Sequence, residues 1–239
     1  VIKEAINRIL ELDRPQIVGV GGRDYATKQL HPILDPQPRA LGLSTLSGLV
    51  AYCRRNPDGF DLDSGIFALV KSECEVVLQG GTYGLFHQRD THATVLHSEP
   101  SAFKPNTFYA LEDFLVILNT AFVLDETVQV LTKLFGNVRA EDVTSWNDDG
   151  ITQAVMSRRG IALVESVPIP NLVPLRPYRT FRDIDQPESL FLVRAKQKDL
   201  SPPAVALFES GGEQWRFTAM DFIAEYLTKH LPEEITVIR

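Results

Sequence analysis

The 239-residue chain predicts an α+β fold, mainly antiparallel in its sheets, with a central amphipathic helix and extended hairpin or arm segments. Three observations lead there. Leu111, Phe114, Leu115, Leu118 and Phe122 recur at helical spacing and form the strongest apolar stripe in the chain. EDVTSWN, ITQAVMS and IALVESV follow one another with Asp149-Gly150 and Arg159-Gly160 between them, the pattern of an antiparallel meander. Strands and helices come in runs rather than in the strict alternation of a βαβ protein.

In chain order, Ile2, Ile6, Ile9 and Leu10 share one face of an opening helix that Pro15 ends. QIVGVGGRDYAT then reads as two short strands about Gly21-Gly22, and HPILDPQPRALG as a proline-rich connector. Ser44 is placed to cap a helix with Leu46, Leu49, Val50 and Cys53 on its apolar side, stopped at Asn56-Pro57. Residues 66–96 turn β-like, with Gly80-Gly81 as the hairpin turn and a return strand, HQRDTHATVLH, polar on both faces. A strand without a dry face is expected to be an arm or to find its partner in another subunit.

The central helix is expected over residues 109–123, with Glu112 and Asp113 in its first turn, where the helix dipole favours them. Asp125 caps a shorter helix through Val128, Leu131 and Leu134 that Gly136 ends. Beyond the meander, Pro168, Pro170, Pro174 and Pro177 keep the chain extended. SLFLVRAK and AVALFES are buried strands, Gly211-Gly212 turns into QWRF, Thr218 with Asp221 forms a capping box, and ITVIR is a last strand. The expectation is one domain over residues 1–239, with a projecting hairpin at about 76–97 and an extended proline-rich segment at about 167–188.

A net charge of −7 and a pI near 5.3 argue against coating duplex nucleic acid through the overall field. Cys53 and Cys74 are too few for a disulfide framework or a thiolate zinc site, which points to a reducing compartment. No apolar run approaches the roughly 20 residues of a membrane helix, so no membrane partner is expected. GVGG lacks the third glycine of a dinucleotide loop, and Walker, HExxH, CxxC and GxSxG motifs are missing, so no catalytic residue and no cofactor is expected. His87, His92 and His97 alternate faces along a strand and do not converge on a metal.

LRPYRTFRDIDQPES concentrates the polar chemistry. Arg176, Arg179 and Arg182 repeat every third residue, which aligns them on one side of a polyproline-like run, with Tyr178 and Phe181 between them as ring platforms. Two readings stand. As a site, the segment binds a nucleotide or single-stranded nucleic acid through guanidinium forks and stacking. As an arm, it is pinned at an element or subunit boundary by pairing with Asp183, Asp185 and Glu188. Asp183 and Asp185 share a strand face and are weak metal candidates. Asp148 and Asp149, in SWNDDGITQ, form an exposed corner that is a second interface or phosphate-site candidate.

TSWNDDGITQ and LRPYRTFRDIDQPESLF resemble the YfdQ-like family, a group of uncharacterised proteins of tailed phages and prophages, as do YALEDFLVILNTAF, LTKLFGNV and ALFESGGEQWRF. The resemblance implies a phage or prophage origin, hence a bacterial host cytoplasm or a virion, and carries no catalytic residue with it. The expected function is a non-enzymatic, self-assembling homo-oligomer, a shell or particle component at the extreme. The alternative is a nucleotide- or single-strand-binding accessory protein in recombination or counter-defence.

Overall fold

A computed structural model describes residues 2–12, 15–20, 22–28, 39–84, 87–98, 101–136, 143–148, 153–159, 162–169, 172–196 and 203–239, with side chains at 9–12, 20, 23 and 143–169 outside that description. By internal contacts the chain divides into two compact units, Val1–Gln37 and Pro38–Arg239.

The first unit holds α1 (Ile2–Leu12) and an antiparallel hairpin of β1 (Ile17–Val20) and β2 (Arg23–Ala26). Glu4 sits in the first turn of α1, where the dipole favours it. Gly22, at φ +79°, makes the left-handed step of the turn, so GVGG serves the hairpin, as its spacing predicts. Every described side chain of this unit is exposed, Ile2 (77%), Ile6 (51%), Ile17 (69%), Val18 and Tyr25 among them.

The second unit is α+β and largely antiparallel. It contains β3 (Leu41–Leu43), α2 (Leu46–Arg55), β4 (Phe67–Ser72), β5 (Glu75–Tyr83), β6 (Gln88–Leu96), β7 (Phe108–Ala110), α3 (Leu111–Thr120) and α4 (Glu126–Gly136). The meander β8 (Val143–Asp148), β9 (Gln153–Arg159) and β10 (Ala162–Ile169) comes next. Then follow β11 (Leu172–Leu175), β12 (Ser189–Lys196), β13 (Ala204–Ser210), α5 (Trp215–His230) and β14 (Thr236–Ile238). One sheet has the order β14-β4-β5-β6-β3, a second β11-β12-β13-β7, and the meander is a third. Among the described pairings only the short outer strands β14 and β3 run parallel to their neighbours. Among the described residues, no helix is long and apolar enough to cross a membrane.

Two cores hold this unit. In the first, α3 and α4 pack on β11, β12 and β13. Phe114 and Leu118 are fully buried there on α3, as the helical stripe predicts, but the helix is shorter than the expected 109–123: residues 109 and 110 belong to β7, and Phe122, also fully buried, follows the helix in a bridge to Pro177. Phe103 meets Phe122 and Phe191 at ring-centroid distances of 4.8 and 5.7 Å. Asp125 caps α4 as expected, its Oδ1 accepting from Val128 N–H at 3.0 Å. In the second core, α2 and α5 pack on the five-stranded sheet, with Leu46, Leu49, Leu78, Ile223 and Leu227 buried.

Several local expectations are corrected. The strand following the hairpin is no free arm: β6 lies between β5 and β3, and Ala93 and Val95 give it a buried face within the chain. Its polar residues are absorbed by neighbours, His92 against the Phe60 ring at 4.9 Å and Arg89 over the Phe67 ring at 4.8 Å. Gly80 and Gly81 lie inside β5, and among the described residues of the turn Gly84 and His87 are left-handed. Glycine at 81 answers a close approach instead, since a Cβ there would stand 2.6 Å from the Ser64 carbonyl oxygen. Thr45 rather than Ser44 caps α2, its hydroxyl accepting from Gly48 N–H. QWRF opens α5 three residues before Thr218, so the expected capping box falls inside the helix. The connector over residues 29–38 lies outside the described residues.

Candidate functional site

The arginine segment joins the two cores of the second unit. It leaves β11 at the edge of the first core, and Phe181, fully buried, belongs to the second. The chain is fastened at each step. Val123 N–H donates to the Arg176 carbonyl and Tyr178 N–H to the Ala121 carbonyl, at 2.9 and 2.8 Å, tying the start of the segment to the end of α3. Thr180 donates its hydroxyl to the Glu73 carbonyl at the β4–β5 turn. Buried Gln186 folds the middle into a turn, accepting from Arg179 and Thr180 N–H through Oε1 and donating through Nε2 to the Phe181 and Ile184 carbonyls. A buried amide with four such partners is satisfied, so it holds the turn without a desolvation penalty.

The turn sends the three arginines in different directions, which corrects the expectation of one shared face. Arg176 pairs with Asp125, the cap of α4, at 3.2 Å. Arg182 lies over the Tyr178 ring, 3.7 Å from its centroid. Arg179 turns inward, its side chain 10% exposed, and joins Glu209 at 2.7 Å, the Ser189 hydroxyl, and the face of Trp215 at 3.8 Å. Burial pulls the Arg179 pKa down while Glu209 pulls it up, and its buried Nε meets no acceptor among the described residues. Arg216, also near Trp215, pairs with Glu73 at 3.1 Å. The ion partners are thus Asp125 and Glu209, remote in sequence, instead of Asp183, Asp185 and Glu188.

Phe181 packs against His97 at 5.7 Å inside the core, so it offers no ring to a ligand. Asp183 caps a helix from outside it: its two oxygens accept from Leu46 and Ser47 N–H at 3.1 and 3.0 Å, where the N-terminus of α2 presents donors and a partial positive charge. Capping accounts for Asp183 without a metal, and among the described residues no group of three His, Cys, Asp or Glu is disposed to hold an ion. Replacing Asp183 with alanine is expected to cost about 1–2 kcal/mol, as an N-cap loss does. Urea unfolding with and without magnesium checks this; a loss of stability on adding EDTA to the native protein would restore the metal. Asp148 is the last residue of β8, its side chain outside the described residues, as Asp149 is altogether.

Beyond Asp183 the segment forms one wall of a groove of 460 Å³. Arg182, Ile184 and Asp185 stand on this wall, and Phe222, Glu225, Tyr226 and Lys229 of α5 on the other, with His230 at the end. Positions 222, 225, 226 and 229 fall on one helix face by their spacing. The His230 ring stacks on Tyr226 at 4.4 Å, and its Nδ1–H donates to the Tyr226 carbonyl at 2.8 Å. Burial and the Asp183 carboxylate push the Tyr226 pKa up, so its hydroxyl stays protonated. The sequence reading missed Glu209, Gln186, Trp215 and this whole α5 face; the mixed charges at helical spacing were the one signal that could have found any of them.

No family model, no curated protein and no solved structure matches the chain.

Proposed function

We propose that the chain is a non-enzymatic, self-assembling protein of a phage or prophage that works as a homo-oligomer, with residues 1–37 as the assembling element. The observation that carries this reading is the exposure of Ile2, Ile6, Ile17, Val18 and Tyr25 within that unit. An isolated 11-residue helix is marginal in water, and so is an isolated two-stranded hairpin. Burying one such side chain contributes about 1.5–3 kcal/mol, so a matching surface on a second copy stabilises both elements at once. The same unit of a second copy supplies that surface by two-fold symmetry. Val116, Leu124 and Val130, on α3, the link after it and α4, are further exposed apolar side chains available to higher assembly, as in a shell or particle. The phage setting, in a bacterial cytoplasm or a virion, rests on the likeness of TSWNDDGITQ and LRPYRTFRDIDQPESLF to the YfdQ-like pattern.

Size exclusion coupled to light scattering tests the reading. The full chain is expected at a multiple of 26.7 kDa, and Ile2→Asp with Ile6→Asp is expected to lower that multiple while far-ultraviolet dichroism changes little. A full chain that runs as a monomer ends the proposal. If that monomer also binds oligonucleotide steeply as salt falls, the nucleic-acid reading takes its place.

A further inference from the structure

We propose that the groove between residues 182–185 and α5 binds a small zwitterion, a free α-amino acid or a short peptide, with the ligand's carboxylate at Arg182 and Lys229 and its ammonium at Asp185 and Glu225. Its volume, 460 Å³, lies in the range of small-ligand sites. The charges that line it are balanced once Asp183 is set aside: that carboxylate is engaged by the N-terminus of α2, which leaves two cations, Arg182 and Lys229, and two carboxylates, Asp185 and Glu225. A phosphate dianion meets as much repulsion there as attraction, whereas a molecule carrying both signs pairs with both.

The walls are also set in place before any ligand arrives. Asp183 anchors the 182–185 turn to α2, Gln186 ties its far side, and Tyr178 holds the Arg182 guanidinium flat. A turn and a guanidinium held in this way lose little entropy on binding, whereas Asp185, Glu225 and Lys229 are exposed side chains that order with the ligand. Phe222 with Ile184 gives the ligand's carbon body an apolar surface. This inference lies entirely within the second unit and stands whether or not residues 1–37 drive assembly.

The test is saturation-transfer NMR on the full chain with the common L-amino acids, a set of dipeptides, their N-acetylated and methyl-esterified forms, and adenosine monophosphate as a counter-probe. At least one free amino acid or dipeptide is expected to bind at millimolar concentration or below; binding by either class supports the site, and the stronger class identifies the source. Acetylation and esterification are each expected to weaken binding about tenfold or more, the loss of one charge-assisted hydrogen bond. Lys229→Gln is expected to weaken the free ligand by a similar factor and the ester much less, because both changes remove the same contact; Glu225→Gln does the same for the acetylated form. Both residues are exposed, so unchanged thermal unfolding is expected, and the blocked-ligand series reads the proposal even if a variant fails to fold. Absence of transfer from every zwitterion, binding of adenosine monophosphate in their place, or affinity indifferent to blocking overturns the proposal.

Discussion

Arg179→Ala is expected to lower the unfolding free energy by about 3–5 kcal/mol, the range for removing one partner of a buried ion pair. The side chains of Arg179 and Glu209 are 10% and 14% exposed, so the substitution leaves a carboxylate in a nearly dry site with no counter-charge. Ser189 loses its hydrogen-bond partner and the Trp215 ring the cation on its face. The position compounds the effect. Glu209 and Ser189 belong to strands of the first core, and Trp215 opens the helix that packs in the second, so Arg179 couples the two. Unfolding of the variant in urea is therefore expected to broaden, with hydrogen exchange rising first in α5. Arg179→Met with Glu209→Leu is expected to recover much of the stability, since a pair replaced by apolar groups leaves no orphaned charge. If Arg179→Ala keeps its stability and instead loses affinity for a nucleotide, the arginine is a ligand contact and the structural role assigned to it is wrong.

Local pattern carried the sequence reading wherever local physics decides. The Phe114-Leu118 face of α3, the Asp125 cap, the meander and the β1-β2 hairpin all follow from spacing or from one residue's preferred geometry. The partners of the arginines were not legible, because ion pairs are chosen in three dimensions. Asp125 lies 51 residues before Arg176 and Glu209 lies 30 after Arg179, whereas Asp183, Asp185 and Glu188 were nearer in sequence and served as the natural guess. The period of three misled for a definite reason: it aligns side chains only while the backbone stays extended, and Gln186 turns it at Arg179. The return strand β6 misled likewise. Its dry face spans little more than Ala93 and Val95, and its second neighbour is β3, a three-residue strand whose parallel pairing leaves no hairpin signal. The groove combines both difficulties, a helix face legible by spacing and a crossing segment that only the fold brings to it.

Phe114→Ala is expected to destabilise the protein by about 3–5 kcal/mol as well, by a different route. Phe114 is fully buried in the first core and meets the Phe135 ring edge-on at 5.3 Å, so the pair holds α3 against α4. Removing the ring forfeits its transfer free energy and leaves a cavity that α3 cannot close by moving, since it is fixed between α4 and the sheet. No charge is uncovered, so the loss is that of packing and cavity alone, whereas the Arg179 variant leaves a carboxylate without its counter-charge in a nearly dry site. Phe114→Leu keeps most of the volume and is expected to cost clearly less. Phe135→Ala should cost a similar amount to Phe114→Ala, and the double variant less than the sum by about 0.5–1.5 kcal/mol, the coupling of an aromatic pair. Chemical denaturation of the wild type and these four variants measures all of this. A negligible shift in midpoint for Phe114→Ala would mean that α3 is not packed as described, and full additivity with Phe135→Ala would mean that the two rings do not touch.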